Sequence, residues 1–374
     1  NDSVLTVIFS YCRNLTGINV DEANKNYKSI DGILFTKDEK ALAAYPAAKS
    51  GIAYAIPSSV TSIGNDAFAY CSSLSFITIP DSVTSIGRRA FFGCISLTRI
   101  KIPGSVTYIG DKAFNGGSLT SITIFSNNVV FNDSADTISA TATIYGYSGS
   151  TAEAYATKYN RKFVAIIANG ECGENLEWML DETGLLTIEG TGAMRNYGAD
   201  YVSKSSAPWR NYRTSVHKVE IARGVTSIGD FAFYYCNNLS GKVEIPESVT
   251  YIGDDAFSNC RNILSIEIPC SVTSIRTATF YGCERLAHIE IPNSVTSIGS
   301  YAFGGCYKLT SITIPSSVTS IGDHAFYYCT SLASITIPDS VTSIGDYAFS
   351  CCTRFTSITI PSSVTSIGDY IFSY

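Results

Sequence analysis

The sequence repeats itself every 23 residues, and few features restrict a fold so tightly. Pro57, Pro80 and Pro103 stand 23 apart, as do Pro246, Pro269, Pro292, Pro315, Pro338 and Pro361. Phe68, Phe91 and Phe114 keep the same step in the first half, where Phe9 closes a partial unit. Phe233, Phe257, Phe280, Phe303, Phe326, Phe349 and Phe372 mark seven units in the second half. The one 24-residue step, Phe233 to Phe257, implies an extra residue around Gly241. A unit this short cannot bury its own apolar groups, so successive units must stack and share a continuous core. Stacking also lets a chain of 374 residues fold without one oversized core.

One unit, Leu309 to Cys329, reads as follows. Leu309, Ile312 and Ile314 alternate at their end as a half-buried strand does, and Pro315 stops the pairing because it has no N–H to give. Val318 and Ile321 point inward from a second extended stretch. Gly322 is expected to turn the chain with positive φ, and Asp323 to cap a short helical turn that carries Ala325 and Phe326. Parallel strands in neighbouring coils would lie about 4.8 Å apart, wound with the right-handed crossover that parallel connections favour.

The recurring string I-P-x-S-V-T-S-I-G-D-x-A-F-x-x-C resembles the BspA-like, or Treponema-type, leucine-rich repeat family across most of the chain. The period also lies in the leucine-rich range. The resemblance implies a mostly β leucine-rich repeat solenoid: right-handed, with parallel β ladders and short helical turns, here in two tandem modules. It further implies a non-enzymatic bacterial cell-surface or secreted protein that binds host matrix proteins, other cells or extracellular polymers. A structural spacer that presents another domain of a longer extracellular protein is the alternative.

Breaks in the pattern divide the chain. Residues 1–168 form an N-terminal repeat module interrupted at 18–56 by a coil insert, with Asp31-Gly32 as a hairpin turn. Residues 120–168 read as its C-terminal cap. They contain a capping box at Ser150 to Glu153 and helical spacing through Ala152, Tyr155, Ala156 and Tyr159. Residues 169–374 open on a β-hairpin starter, 169–222, whose strands flank Glu182-Thr-Gly184, with Trp209 expected to cover the first coil. Seven repeats follow. Net charge is 14 − 12 = +2 for residues 1–168 and 12 − 20 = −8 for the rest. The chain opens at Asn1 in mid-pattern and stops at Tyr374 just after a Phe mark, as a piece of a longer protein would.

The chemistry-bearing residues follow the repeat. Nine of the twelve cysteines (Cys12, Cys71, Cys94, Cys236, Cys260, Cys283, Cys306, Cys329 and Cys352) fall three after the Phe. They are expected as buried thiols in a ladder whose parallel side chains suit disulfides poorly. Cys172, Cys270 and Cys351 lie off that ladder, and Cys270 should be exposed. No C-x-x-C pair occurs, so neither a zinc site nor a redox motif is indicated. Of the three histidines, His324 sits at a variable repeat position shared with Tyr347 and reads as a surface residue. No G-x-S-x-G elbow or phosphate-cradling glycine loop is present. Asp230, Asp254, Asp323, Asp346 and Asp369 read as repeated N-caps, and one Asp per coil falls short of a calcium site. No catalytic residue, cofactor or metal site is therefore expected. A net charge of −6 gives no footprint for nucleic acid, and no apolar run reaches the length of a membrane span.

Two surfaces remain as candidates for a protein partner. The outward positions of the strands, expected on the concave face, carry Lys242 and Glu244, Ser265 and Glu267, and His288 and Glu290. They continue as Thr313, Thr336 and Thr359 in a hydroxyl stripe. Three glutamates on consecutive coils repel one another unless a cation offsets them. The alternative is an aromatic face with Tyr301, Tyr327, Tyr328 and Tyr347, since tyrosine pairs contact area with a polar tip.

Overall fold

A computed structural model describes residue 9, residues 11–198 and residues 206–373. The chain divides into two units, Asn1–Ile166 and Ile167–Tyr374. Each is a stack of coils with the apolar side chains of every unit turned inward.

The first unit opens on an antiparallel hairpin of Tyr27–Ile30 and Ile33–Thr36. Asp31 and Gly32, at φ 50° and 73°, form its two-residue turn, a geometry that matches strand twist. Ala41–Ala44 pairs antiparallel with Ile33–Thr36 and then hands over to a parallel ladder. That ladder runs through Ser62–Ile63, Ser85–Ile86, Tyr108–Ile109 and Val130–Phe131. A second parallel ladder joins Arg99–Ile102, Ser121–Ile124 and Thr143–Gly146. Between the ladders Phe68, Phe91 and Phe114 are buried and stacked at 5.1 and 5.2 Å. The helix Thr151–Lys158 starts where the capping box falls. Glu153 N donates to Ser150 Oγ at 3.3 Å, and Gly149 N donates to Glu153 Oε2 at 2.6 Å. Its Ala152, Tyr155 and Ala156 pack into the same core.

The second unit opens on the hairpin Leu176–Asp181 and Leu185–Gly190. Leu176, Trp178, Leu180, Asp181, Leu186 and Ile188 are its buried positions. Trp209 is buried too; its indole stacks on Phe233 at 5.8 Å and donates from Nε1 to Ala232 O. From Phe233 to Phe372 the phenylalanines form one stacked column, and Phe372 on the last coil is half exposed. Ser274–Ile275, Ser297–Ile298, Ser320–Ile321, Ser343–Ile344 and Ser366–Ile367 pair in parallel and in register. The opposite ladder contains Ser240–Glu244, Asn262–Glu267 and His288–Glu290, and a bridge between Thr313 and Thr336 continues it. Its register shifts between Gly241 and Lys242, where Gly241 has φ 79°. The pairing there steps from Ile263 to Ser265, so the residue it skips is Leu264 on the facing strand, not one beside Gly241 as the phenylalanine spacing implied.

Three expectations need correction, and the first two share a cause: bonds that run between coils rather than within one. First, the glycine after each Ile has no positive φ. The left-handed residues are instead two before and two after the Phe, such as His324 (φ 56°) and Tyr328 (φ 58°). A Cβ on Gly322 would lie 2.6 Å from Ser300 N, so the glycine is there to let the preceding coil's backbone in. Second, the aspartates do not cap a turn in their own coil. Asp323 Oδ1 accepts from Asp346 N at 2.9 Å, and Asp346 Oδ1 from Asp369 N at 2.7 Å, forming a ladder from coil to coil. The Phe-bearing segment makes i→i−3 bonds such as Ala325 N to Gly322 O and Tyr327 N to His324 O, broken by the left-handed residues. The ladder cysteines, Cys12 apart, are buried thiols as expected, and they too bond between coils. Cys329 Sγ donates to Phe303 O at 3.2 Å and Cys283 to Phe257 O at 3.3 Å, each to the preceding coil. Burial pushes the Cys283 thiol up to about 12 and that of Cys329 well above the ordinary range. The third correction is Cys12, which is exposed. Cys270 is exposed as expected, and no disulfide joins any cysteines among the described residues.

Candidate functional site

Strand alternation decides which side chains face out. In the ladder of the second unit Val243, Ile266 and Ile289 point inward and are buried. Their neighbours therefore form two outward columns in strict register. Glu244, Glu267 and Glu290 lie opposite one another, and so do Lys242, Ser265 and His288. Thr313, Thr336 and Thr359 are exposed on the following coils, with the first two bridged. Lys242 Nζ sits 3.2 Å from Glu244 and 2.7 Å from Glu267, so one ammonium bridges two coils. Its hydrogen bonds to Glu267 and Glu244 hold the Lys242 ammonium above its ordinary pKa. Repulsion among the glutamates is thus offset inside the chain for two of the three.

One member of this column was missed. The tetrad Lys218-Val-Glu-Ile221 repeats as Lys242-Val-Glu-Ile245, and Val219 is buried as Val243 is. Glu220 therefore belongs one coil before Glu244, with Lys218 Nζ 2.8 Å from its carboxylate. The repeated tetrad was the available signal; the irregular spacing around Gly241 hid it.

The aromatic candidates separate into two arrangements. Tyr301, His324, Tyr347 and Tyr370 form a stacked column with ring centroids 4.3, 4.8 and 5.2 Å apart and planes within 17° of parallel. Tyr327 instead meets His324 edge-on, and Tyr328 meets Tyr327 edge-on at 4.6 Å. His324 is consequently half-buried between two phenols, not a solvated surface residue, and its Nδ1 is buried without a hydrogen-bond partner. Its sharing a repeat position with Tyr347 was the clue to this stacking. The column's regularity comes from the left-handed backbone at Tyr301, His324, Tyr347 and Tyr370, φ 54–57°, which aims each ring alike.

Among the described residues no three His, Cys, Asp or Glu side chains converge as metal ligands would. No helix among them is long and apolar enough to cross a membrane.

The family model described as "BspA type Leucine rich repeat region" matches residues 48–144, 211–332 and 296–374, in six copies. No curated protein matches the sequence. Among solved structures the chain is similar to a leucine-rich repeat protein of T. pallidum, with 28% identity over 53% of this chain and 86% of that one, TM-score 0.40. It is also similar to a leucine-rich repeat protein of Bacteroides ovatus, with 26% identity over 92% and 87%, TM-score 0.38. A third similarity is to a leucine rich cell surface protein of Faecalibacterium prausnitzii, with 29% identity over 85% and 59%, TM-score 0.28. The matched segments span well over half of the sequence and coincide with the stacked coils, so this chain belongs to the BspA-type leucine-rich repeat family.

Proposed function

We propose that the chain is a non-enzymatic, protein-binding part of a bacterial cell-surface or secreted protein, and that it mediates adhesion to an extracellular protein. Family membership supports a binding scaffold. The observation that carries the reading is the in-register pair of outward columns on the strand ladder. Side chains held on paired strands are already ordered, so a partner meets them without much further loss of entropy. Glu220, Glu244, Glu267 and Glu290 with the hydroxyls beyond them would receive a basic partner. Steering of that kind weakens as salt rises.

The test is surface plasmon resonance of the chain against a panel of purified extracellular-matrix proteins. Glu267→Lys with Glu290→Lys should weaken the bound partner about tenfold or more by like-charge contact, with an unchanged circular dichroism spectrum. Absence of binding to every matrix protein would overturn adhesion. Full binding by the double variant would remove the strand face as the site.

A further inference from the structure

The edge of the second unit next to the strand ladders combines two rows that the protein-binding reading has not used. The aromatic column Tyr301–His324–Tyr347–Tyr370 is one, and Tyr370 and Tyr301 keep 65% and 36% of their surface exposed. The other is the aspartate ladder. Asp323, Asp346 and Asp369 are exposed, and each immediately precedes a ring of the column in the chain. One carboxylate oxygen of Asp323 and of Asp346 is taken by the next coil's N–H. No ion pair engages any of the three among the described residues. From residue 309 onward the chain has four aspartates and a single cation, Arg354.

The same ladder shows what such a carboxylate still can hold. Three units before Asp323 stands Asp254, and the coil after it has Arg276 where other coils have glycine. Asp254 Oδ1 accepts from Thr277 N in the ladder and also from Arg276 Nε, both at 3.1 Å. Asp254 Oδ2 accepts from Arg276 Nη2 at 3.0 Å, and the guanidinium lies 5.1 Å over the Tyr251 ring. A related pair in the first unit, at another repeat position, has Arg89 donating from Nε to Asp66 Oδ1 at 2.9 Å with its guanidinium 4.2 Å over Phe92, while the ladder acceptor there is Asn65. An aspartate bonded to the next coil thus retains a side-on seat for a planar guanidinium, with an aromatic ring beside it. A carboxylate and a guanidinium match in a two-bond fork that an ammonium cannot reproduce.

We propose that the Tyr301–Tyr370 aromatic column, rimmed by Asp323, Asp346 and Asp369, is a docking surface for an arginine-bearing segment of a partner protein. It rests on the protein-binding reading above and places a second, chemically specified site on a different surface. Charge complementarity selects the occupant: the rim is acidic, the one cation of the last coils, Arg354, pairs with none of the three aspartates among the described residues, and the chain itself fills one equivalent seat, at Asp254, with arginine. The rings supply uncharged contact area for the arginine stems, the combination of Tyr and Arg that dominates binding hot spots.

Fluorescence anisotropy with the whole chain tests this, using labelled oligoarginine and oligolysine of equal length. Oligoarginine should bind, and oligolysine about fivefold more weakly. Asp323→Asn with Asp346→Asn and Asp369→Asn should weaken oligoarginine about tenfold. Asparagine keeps the ladder acceptor, as Asn65 Oδ1 does for Arg88 N at 2.7 Å. The triple variant should therefore melt within about 2 °C of the parent. Tyr347→Leu with Tyr370→Leu should weaken binding by a smaller factor. Equal binding of the two peptides, or unchanged binding by the triple variant, overturns the proposal. So does loss of binding only in Glu244→Gln with Glu267→Gln and Glu290→Gln. Failure of both peptides to bind removes this site alone, because the matrix-protein panel tests adhesion independently.

Discussion

A methyl group on Gly345 would lie 2.2 Å from Asp323 Oδ1 and 2.5 Å from Asp323 N, although the backbone of Gly345 is one that any residue could adopt. The glycine and the aspartate after it work as a pair: the glycine of one coil leaves the space into which the aspartate of the coil before it reaches. Where Arg276 replaces this glycine, its guanidinium pairs with Asp254 of the coil before, from Nε at 3.1 Å and Nη2 at 3.0 Å. Gly345→Ala should cost about 1–3 kcal/mol by overpacking, read from urea denaturation. A variant as stable as the parent would show that the coil spacing has slack. The place of this glycine was legible in the sequence but its purpose was not, because what it avoids belongs to residues 22 positions earlier. The thiols follow the same logic. Cys71, Cys94, Cys236, Cys260, Cys283, Cys306, Cys329 and Cys352 are buried, and their thiolates are suppressed by burial. In the native protein Cys270 and Cys12 should be alkylated quickly at neutral pH and the eight others slowly, as mass spectrometry would show. Fast labelling of the eight would contradict their place in the core.

At the scale of the coil, strands were readable and turns were not. Alternation of Ile and Thr marks a strand because inside and outside alternate with period two. Nothing local marks His324 or Tyr328 as left-handed, a conformation costing an L-residue roughly 1–2 kcal/mol. Neighbouring coils offset that cost. Phe303 N donates to Ala325 O at 2.8 Å and Gly305 N to Tyr327 O at 2.6 Å, so the turns pair along the stack as strands do. Hydroxyls add two further rows, Ser317 Oγ to Val295 O at 2.6 Å and Thr319 Oγ1 to Thr296 O at 3.2 Å. These contacts explain why serine and threonine hold fixed repeat positions. The strand-face residues could be listed from alternation alone, whereas the lysine bridging Glu244 and Glu267 needed the register between coils.

At the scale of the whole molecule, each coil touches only its neighbours, so stability is a sum of local interfaces. Phe303 is fully buried, with Phe280 and Phe326 stacked at 5.6 and 5.4 Å. Phe303→Ala should cost roughly 3–5 kcal/mol through lost transfer energy and the cavity left behind. Hydrogen exchange should accelerate in the coils on either side and stay unchanged in residues 1–166. Uniform acceleration across the chain would contradict a core assembled from neighbours.

The bonds between coils have one property that the bonds of a globular core lack: the same pairings recur from coil to coil. Serine meets the carbonyl of a valine, threonine that of a threonine, and cysteine that of a phenylalanine, each in the coil before. Removing or duplicating one unit of 23 residues rejoins donors to identical acceptors and needs no new junction. Copy number therefore works as a ruler. A lineage can lengthen or shorten the surface it presents by unequal recombination alone, and the fold does not have to be solved again.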